Sequence, residues 1–207
     1  MNSQDLRKQE HRPKKEKPEE VREVFKMVFV GKPGTGKTTV LRNILRECLE
    51  SGRRALIVTP HENEWMDIPM VHPRFQHHIR TYRGARRIIC HGEKNILENI
   101  KKYFVNGFLI FDDCKAYIRP SDRVYMEQFL LALRQKDVDF ACCGHGFTTI
   151  PPVFYTFATE FFVFATTDNP KKRKDDVMNY EDLEKTVNRV NAKAQENKHY
   201  YEIIKNQ

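Results

Sequence analysis

Residues Gly31-Lys32-Pro33-Gly34-Thr35-Gly36-Lys37-Thr38 combine three glycines, an amine and hydroxyls at a spacing that can do phosphate chemistry. The glycines let the chain turn tightly and aim several backbone N–H groups at one point, and a helix starting directly behind them adds the positive end of its dipole. Such a concave nest binds phosphate oxygens. The spacing fits G-x-x-x-x-G-K-[ST], the P-loop, in which Lys37 reaches the β- and γ-phosphates and the Thr38 hydroxyl ligates Mg²⁺. The expected cofactors are ATP and Mg²⁺. The expected nucleotide-binding set is Gly31, Lys32, Pro33, Gly34, Thr35, Gly36, Lys37, Thr38 and Thr39.

A P-loop needs a carboxylate from a neighbouring strand on the metal side, and a hydrolase needs a group that positions or deprotonates water. Phe108-Leu109-Ile110-Phe111-Asp112-Asp113 offers both: Asp112 as the metal-side acid and Asp113 as the base. Val138–Cys143 followed by Gly144-His145 is a further strand ending in a polar group, and His145 is the candidate γ-phosphate sensor. Arg134, at the end of the helix before it, is the candidate arginine finger for a neighbouring subunit, with Arg119 and Arg123 in reserve. A planar guanidinium suits that role because it neutralises charge developing on a transferring phosphoryl group.

The elements that must hold these groups follow from hydrophobic patterning. Strands are expected at Val24–Val30, Ala55–Thr59, Ile88–Cys90, Phe108–Phe111, Val138–Cys143 and Phe161–Ala165. Helices are expected at Lys37–Leu49, Glu93–Phe104 and Ser121–Arg134, with Ser121 as N-cap and a Pro-broken stretch over Pro60–Pro73. Strands alternating with helices predict an α/β fold with a mostly parallel central sheet and helices on both faces, a P-loop NTPase of RecA-like type. The chain divides into a charged N-terminal tail over 1–22, an ATPase domain over 23–167 and a polar, helical extension over 168–207.

With 207 residues the chain has room for one core of ordinary size. A net charge of +8 suits a polyanionic partner or an anionic membrane surface. Ile68–Gly92 contains no acidic residue but has Arg74, Arg80, Arg83, Arg86 and Arg87 among histidines and aromatics. Such a segment can track the phosphates of double-stranded DNA without reading sequence. The N-terminus lacks the apolar stretch of a signal peptide, and no apolar run approaches the roughly 20 residues that span a bilayer. These absences lead to the expectation of a soluble intracellular protein. Five cysteines without C-x-x-C spacing argue against a disulfide framework.

The order of P-loop, apolar strand with Asp-Asp, Leu-Arg-x-x-x-x-Asp, and a strand with a polar sensor followed by Pro-Pro resembles the HerA/FtsK superfamily of DNA-pumping ATPases. It is most similar to the small members: genome-packaging ATPases of viruses and phages, and zonula occludens toxin-like assembly ATPases. The resemblance implies a homo-oligomeric ring, often a hexamer, that moves double-stranded DNA with ATP, in the cytoplasm of a host cell or associated with virions, with a viral portal or membrane protein as a candidate further partner. Two other P-loop classes remain open at this stage: a nucleoside or nucleotide kinase, and a switch or partitioning NTPase.

Overall fold

The computed structural model describes residues 22–71 and 76–206, with the backbone alone given for 76–78. The charged segment before Arg22 and residues 72–75, with His72, Arg74 and Phe75, lie outside the described residues.

The elements in chain order are β1 (Lys26–Val30), α1 (Lys37–Glu50), β2 (Arg54–Thr59), α2 (Gln76–Thr81), β3 (Ala85–Ile89), α3 (Lys94–Tyr103) and β4 (Gly107–Asp112). They continue as α4 (Arg123–Gln135), β5 (Val138–Gly144), α5 (Pro152–Phe157), β6 (Glu160–Phe164), α6 (Tyr180–Lys193) and β7 (Tyr201–Lys205). One seven-stranded sheet has the order β3-β2-β4-β5-β1-β6-β7, and all neighbours are parallel except the antiparallel pair β6 and β7. This is the expected α/β architecture.

Why these strands are central is visible in their side chains. Along β4, Phe108 and Ile110 pack on one face with Leu41 and Leu45 of α1, while Leu109 and Phe111 pack on the other with residues of α3, α4 and α5. A strand covered on both faces must be apolar at every position, which is why β4 reads as an unbroken run. β1 divides likewise: Met27 and Phe29 face α1, and Val28 and Val30 face the opposite layer.

β5 lies between β1 and β4, pairing Val30 with Gly144 on one side and Asp112 with Cys143 on the other. The P-loop and the Asp-Asp turn therefore leave the same end of the sheet two strands apart. Ligands of open α/β sheets bind at this carboxyl end of the strands.

Several elements differ from the sequence expectations. β3 begins at Ala85, so Arg86 and Arg87 lie within the strand. α4 begins at Arg123 after a 3₁₀ turn over Pro120–Asp122, and Asp122 takes the N-cap position in place of Ser121; its carboxylate accepts from the Arg119 N–H at 3.0 Å. α2 was not expected. The C-terminal segment is helical only through α6, after which β7 pairs with β6 and closes the sheet edge. Tyr201 stacks on Phe164 with ring centroids 4.9 Å apart, which fastens this short strand to its neighbour. Arg22, the last residue of the expected tail, pairs with Asp137 at 2.6 Å and with Asp139.

Candidate nucleotide site

β1 delivers the chain into the P-loop, and its two neighbours fix the loop's start. The Gly31 N–H donates to the Gly144 carbonyl at 3.3 Å, and the Lys32 N–H to the Ala165 carbonyl at 2.8 Å. The approach to β6 is so close that a Cβ on Gly31 would lie 2.5 Å from Cβ of Phe164, so only glycine fits. Gly36, with φ 99°, sits at the N-cap of α1 in a left-handed conformation that L side chains rarely adopt. The Thr35 hydroxyl donates back to the Lys32 carbonyl at 2.8 Å, stiffening the turn.

Lys37 is only 6% exposed. Its ammonium donates to the carbonyls of Gly31 at 2.5 Å and Lys32 at 2.8 Å, which aims it across the loop. Burial lowers its pKa, and the charges of Cys143, Asp112, Asp113 and Glu64 work in the opposite direction.

The facing wall comes from β4 and from the loop after β2. Asp112 is buried at the end of β4, and one of its carboxylate oxygens accepts the indole N–H of Trp65 at 2.9 Å. Burial, with hydrogen bonding and charge from Glu64, pushes the Asp112 carboxyl up to about 7. Asp113 adopts a left-handed conformation (φ 45°, ψ 47°), and its carboxylate meets Nε2 of His61 at 3.1 Å.

The expected residues Gly36, Lys37, Thr38, Thr39, Asp112, Asp113 and His145 all line one cavity of about 390 Å³, together with Pro33 and Gly34. Lys32 and Thr35, with Pro33 and Gly34, line the adjoining groove of about 820 Å³, which runs between the P-loop, the segment after β6 and α6. The donors facing the smaller cavity, a threonine hydroxyl and carboxylates, are the hard oxygens that suit Mg²⁺, and a cation beside the crowded carboxylates offsets their repulsion. Thr38 and Asp112 fit that ion.

Arg134 is not in this site. It ends α4 at the opposite end of the sheet, in a groove with Arg22, Lys26 and Thr159, and so cannot reach the phosphates of its own chain. Arg119, in the turn before α4, and Arg123, the first residue of α4, lie at the phosphate end of the sheet and are exposed.

The sequence reading missed the loop after β2. Glu64 and His61 line the same cavity as Lys37. Trp65, 3% exposed with φ 55°, anchors the loop, and Arg42 lies 4.5 Å from the centre of its ring while binding Asp67 through both oxygens at 2.7 and 2.8 Å. Arg87 of β3 donates to the carbonyls of Glu62 (2.6 Å), Glu64 (2.9 Å) and Ile68 (3.1 Å). A guanidinium committed to three carbonyls is a structural clamp, so Arg87 does not belong with the basic residues that track phosphates. The signal available in the sequence was the chain's single tryptophan, next to a glutamate, in a stretch otherwise short of core residues.

Fold and site together define a P-loop NTPase in which an additional strand separates the P-loop strand from the acidic one. A family model, the Poxvirus A32 protein, matches residues 14–207. The chain belongs to the poxvirus A32 protein family. Among solved structures it is similar to the genome packaging NTPase B204 from Sulfolobus turreted icosahedral virus 2 in complex with AMP, at 15% identity and a TM-score of 0.64 over 88% of this chain and 92% of that one. The same NTPase in complex with AMPPCP matches at 14% identity and a TM-score of 0.62, over 88% and 93%. B204, the DNA-packaging ATPase from Sulfolobus turreted icosahedral virus, matches at 14% and 0.60, over 87% and 91%. Comparison with curated protein sequences gives no match. Among the described residues no helix is long and apolar enough to cross a membrane.

Proposed function

We propose that the chain is an ATPase that moves double-stranded DNA during viral genome packaging, acting as a homo-oligomeric ring in the cytoplasm of the infected cell and docking on a viral portal or membrane protein. The observation that carries this reading is the convergence of Lys37, Thr38, Asp112 and His145 on one cavity, in a chain of the A32 family. The solved proteins of the same fold include a packaging NTPase in complex with AMP and AMPPCP, which supports the choice of an adenine nucleotide.

In this reading the P-loop N–H groups and the first turn of α1 cradle the β- and γ-phosphates, and Lys37 draws off charge as the γ-phosphoryl group transfers. The nucleoside occupies the larger groove, where Asn188, Asn191 and Gln195 of α6 and the residues following it present amides. Asn191 is already oriented, because its side-chain oxygen accepts the Thr166 N–H at 2.9 Å. Thr38 and Asp112 would hold Mg²⁺, which would neutralise charge on the phosphates. His145 orients the attacking water, and a cavity carboxylate, Asp113 or Glu64, accepts its proton. A neighbouring subunit completes the site with an arginine. Arg119 and Arg123 are placed at the correct end of the sheet for that task, whereas Arg134 would serve only if subunits met end to end. Exposed Arg80 and Arg83 remain for contact with DNA phosphates.

The test is steady-state ATP hydrolysis by the full chain with Mg²⁺, with and without double-stranded DNA, beside its mass in solution with a non-hydrolysable ATP analogue. Hydrolysis stimulated by DNA in a ring-sized assembly is the expected result. Hydrolysis by a monomer that ignores DNA, or consumption of ATP only with a small acceptor, would overturn the motor reading.

A further inference from the structure

The site contains two candidates for the group that deprotonates water, and they are held very differently. Asp113 leaves β4 in a left-handed conformation, and its carboxylate is engaged by His61 at 3.1 Å. Glu64 lines the same cavity as Lys37 and Thr38, on a loop fixed at three points. The neighbouring Trp65 is buried and bonded to Asp112, Arg42 covers the indole ring, and Arg87 holds the carbonyl of Glu64 itself at 2.9 Å. A left-handed tryptophan is strained and persists only where its surroundings over-determine it. The loop has that support, and the residue it holds over the phosphate cavity is Glu64. Asp112 lines the same cavity, so the metal-side acid and Glu64 face one space. The reach of Glu64 is one methylene longer than that of an aspartate.

We propose that Glu64, and not Asp113, is the catalytic base, with Asp113 and His61 forming a positioning pair at the rim. This rests on the reading of the site as an ATPase. In the step assigned to it, the water oxygen forms a bond to the γ-phosphorus while the bond from that phosphorus to the β,γ-bridging oxygen breaks. The bridging electron pair leaves with ADP. The water proton passes to the Glu64 carboxylate and is then released to phosphate or solvent, so the carboxylate is regenerated. The clamp explains why a base on a loop can be accurate: catalytic groups must be held to within a fraction of an ångström, and here backbone carbonyls and a buried indole do the holding.

The experiment compares E64Q, D113N and E64D in the full chain, measuring Mg-ATP affinity with a fluorescent ATP analogue, hydrolysis rate and melting temperature. The amide of E64Q keeps the size and hydrogen-bonding capacity of the side chain, so affinity is expected to stay within about threefold while kcat falls by at least about a hundredfold, in the range general bases contribute. E64D, with its carboxylate withdrawn by one methylene, is expected to fall between wild type and E64Q. D113N is expected to lose less than about tenfold. A smaller fall in E64Q, or a fall in D113N as large as that of E64Q, would overturn the assignment. Absence of hydrolysis by the unaltered chain would instead overturn the ATPase reading from which the assignment starts.

Discussion

The two walls of the phosphate cavity are built on opposite principles. The P-loop wall is contiguous in sequence and made of backbone: its N–H groups, its glycines and the start of α1 suffice to define it, and Lys37 folds back onto carbonyls only five and six residues away. The opposite wall is made of side chains brought from the loop after β2 and from β3, β4 and α1, and it depends on Trp65, Arg42 and Arg87. A backbone wall tolerates almost any surrounding sequence, whereas a side-chain wall can be lost through one residue that never touches nucleotide. Binding should therefore follow the first wall and turnover the second.

The strongest way to break that division is K37A. On the proposed reading, loss of the buried ammonium removes a cation from the phosphate cavity, and hydrolysis is expected to fall by roughly 10²–10³ or more, with nucleotide affinity falling as well. A K37A protein that bound nucleotide as wild type does would show that the P-loop wall is not the binding wall. A substitution on the other side, R87A, leaves the carbonyls of Glu62, Glu64 and Ile68 without their guanidinium. The expected loss is about 1–3 kcal/mol of stability, read as a fall in melting temperature, with kcat reduced and nucleotide affinity nearly unchanged. Equal losses in affinity and kcat would mean that the walls are not separable.

A smaller effect sharpens the same contrast through pH. In the folded protein Asp112 holds its proton up to about 7, because burial and Glu64 disfavour the charged form, while the unfolded chain releases it near 3.8. The folded state therefore binds more protons between those values, and the contribution of this group to stability falls as pH rises from about 4 to about 7. Thermal melts of nucleotide-free protein across that range should show the decline, and D112N should flatten it. A slope unchanged in D112N would place its origin elsewhere.

The same contrast explains what could be read from the sequence. The P-loop, the apolar run of β4 and the strand ending at His145 were legible because each is local: a motif, a doubly buried strand and a chain order. β7 was not, since Tyr201–Lys205 is a short, half-exposed edge strand whose alternation is carried by few residues, and it follows a genuinely helical segment. The N-terminal half of β3 was hidden by its arginines, one of which, Arg87, spends its charge on backbone carbonyls. Trp65 stood out in the sequence only as the single tryptophan, and what it and Glu64 face is set only once β2 and β4 are adjacent and a loop can cross between them. Chain order alone did not show that the antiparallel course of α4 carries Arg134 to the far end of its own sheet, away from its own phosphate cavity.

The most direct measurement is a structure of the full chain with Mg²⁺ and a non-hydrolysable ATP analogue. The account predicts the γ-phosphate against the Lys37 ammonium, Mg²⁺ beside Thr38 and Asp112, the base in the groove along α6, and a water in line with the γ-phosphate within hydrogen-bonding reach of Glu64. A triphosphate seated away from Lys37, or an in-line water contacted by Asp113 with Glu64 turned to solvent, would contradict it.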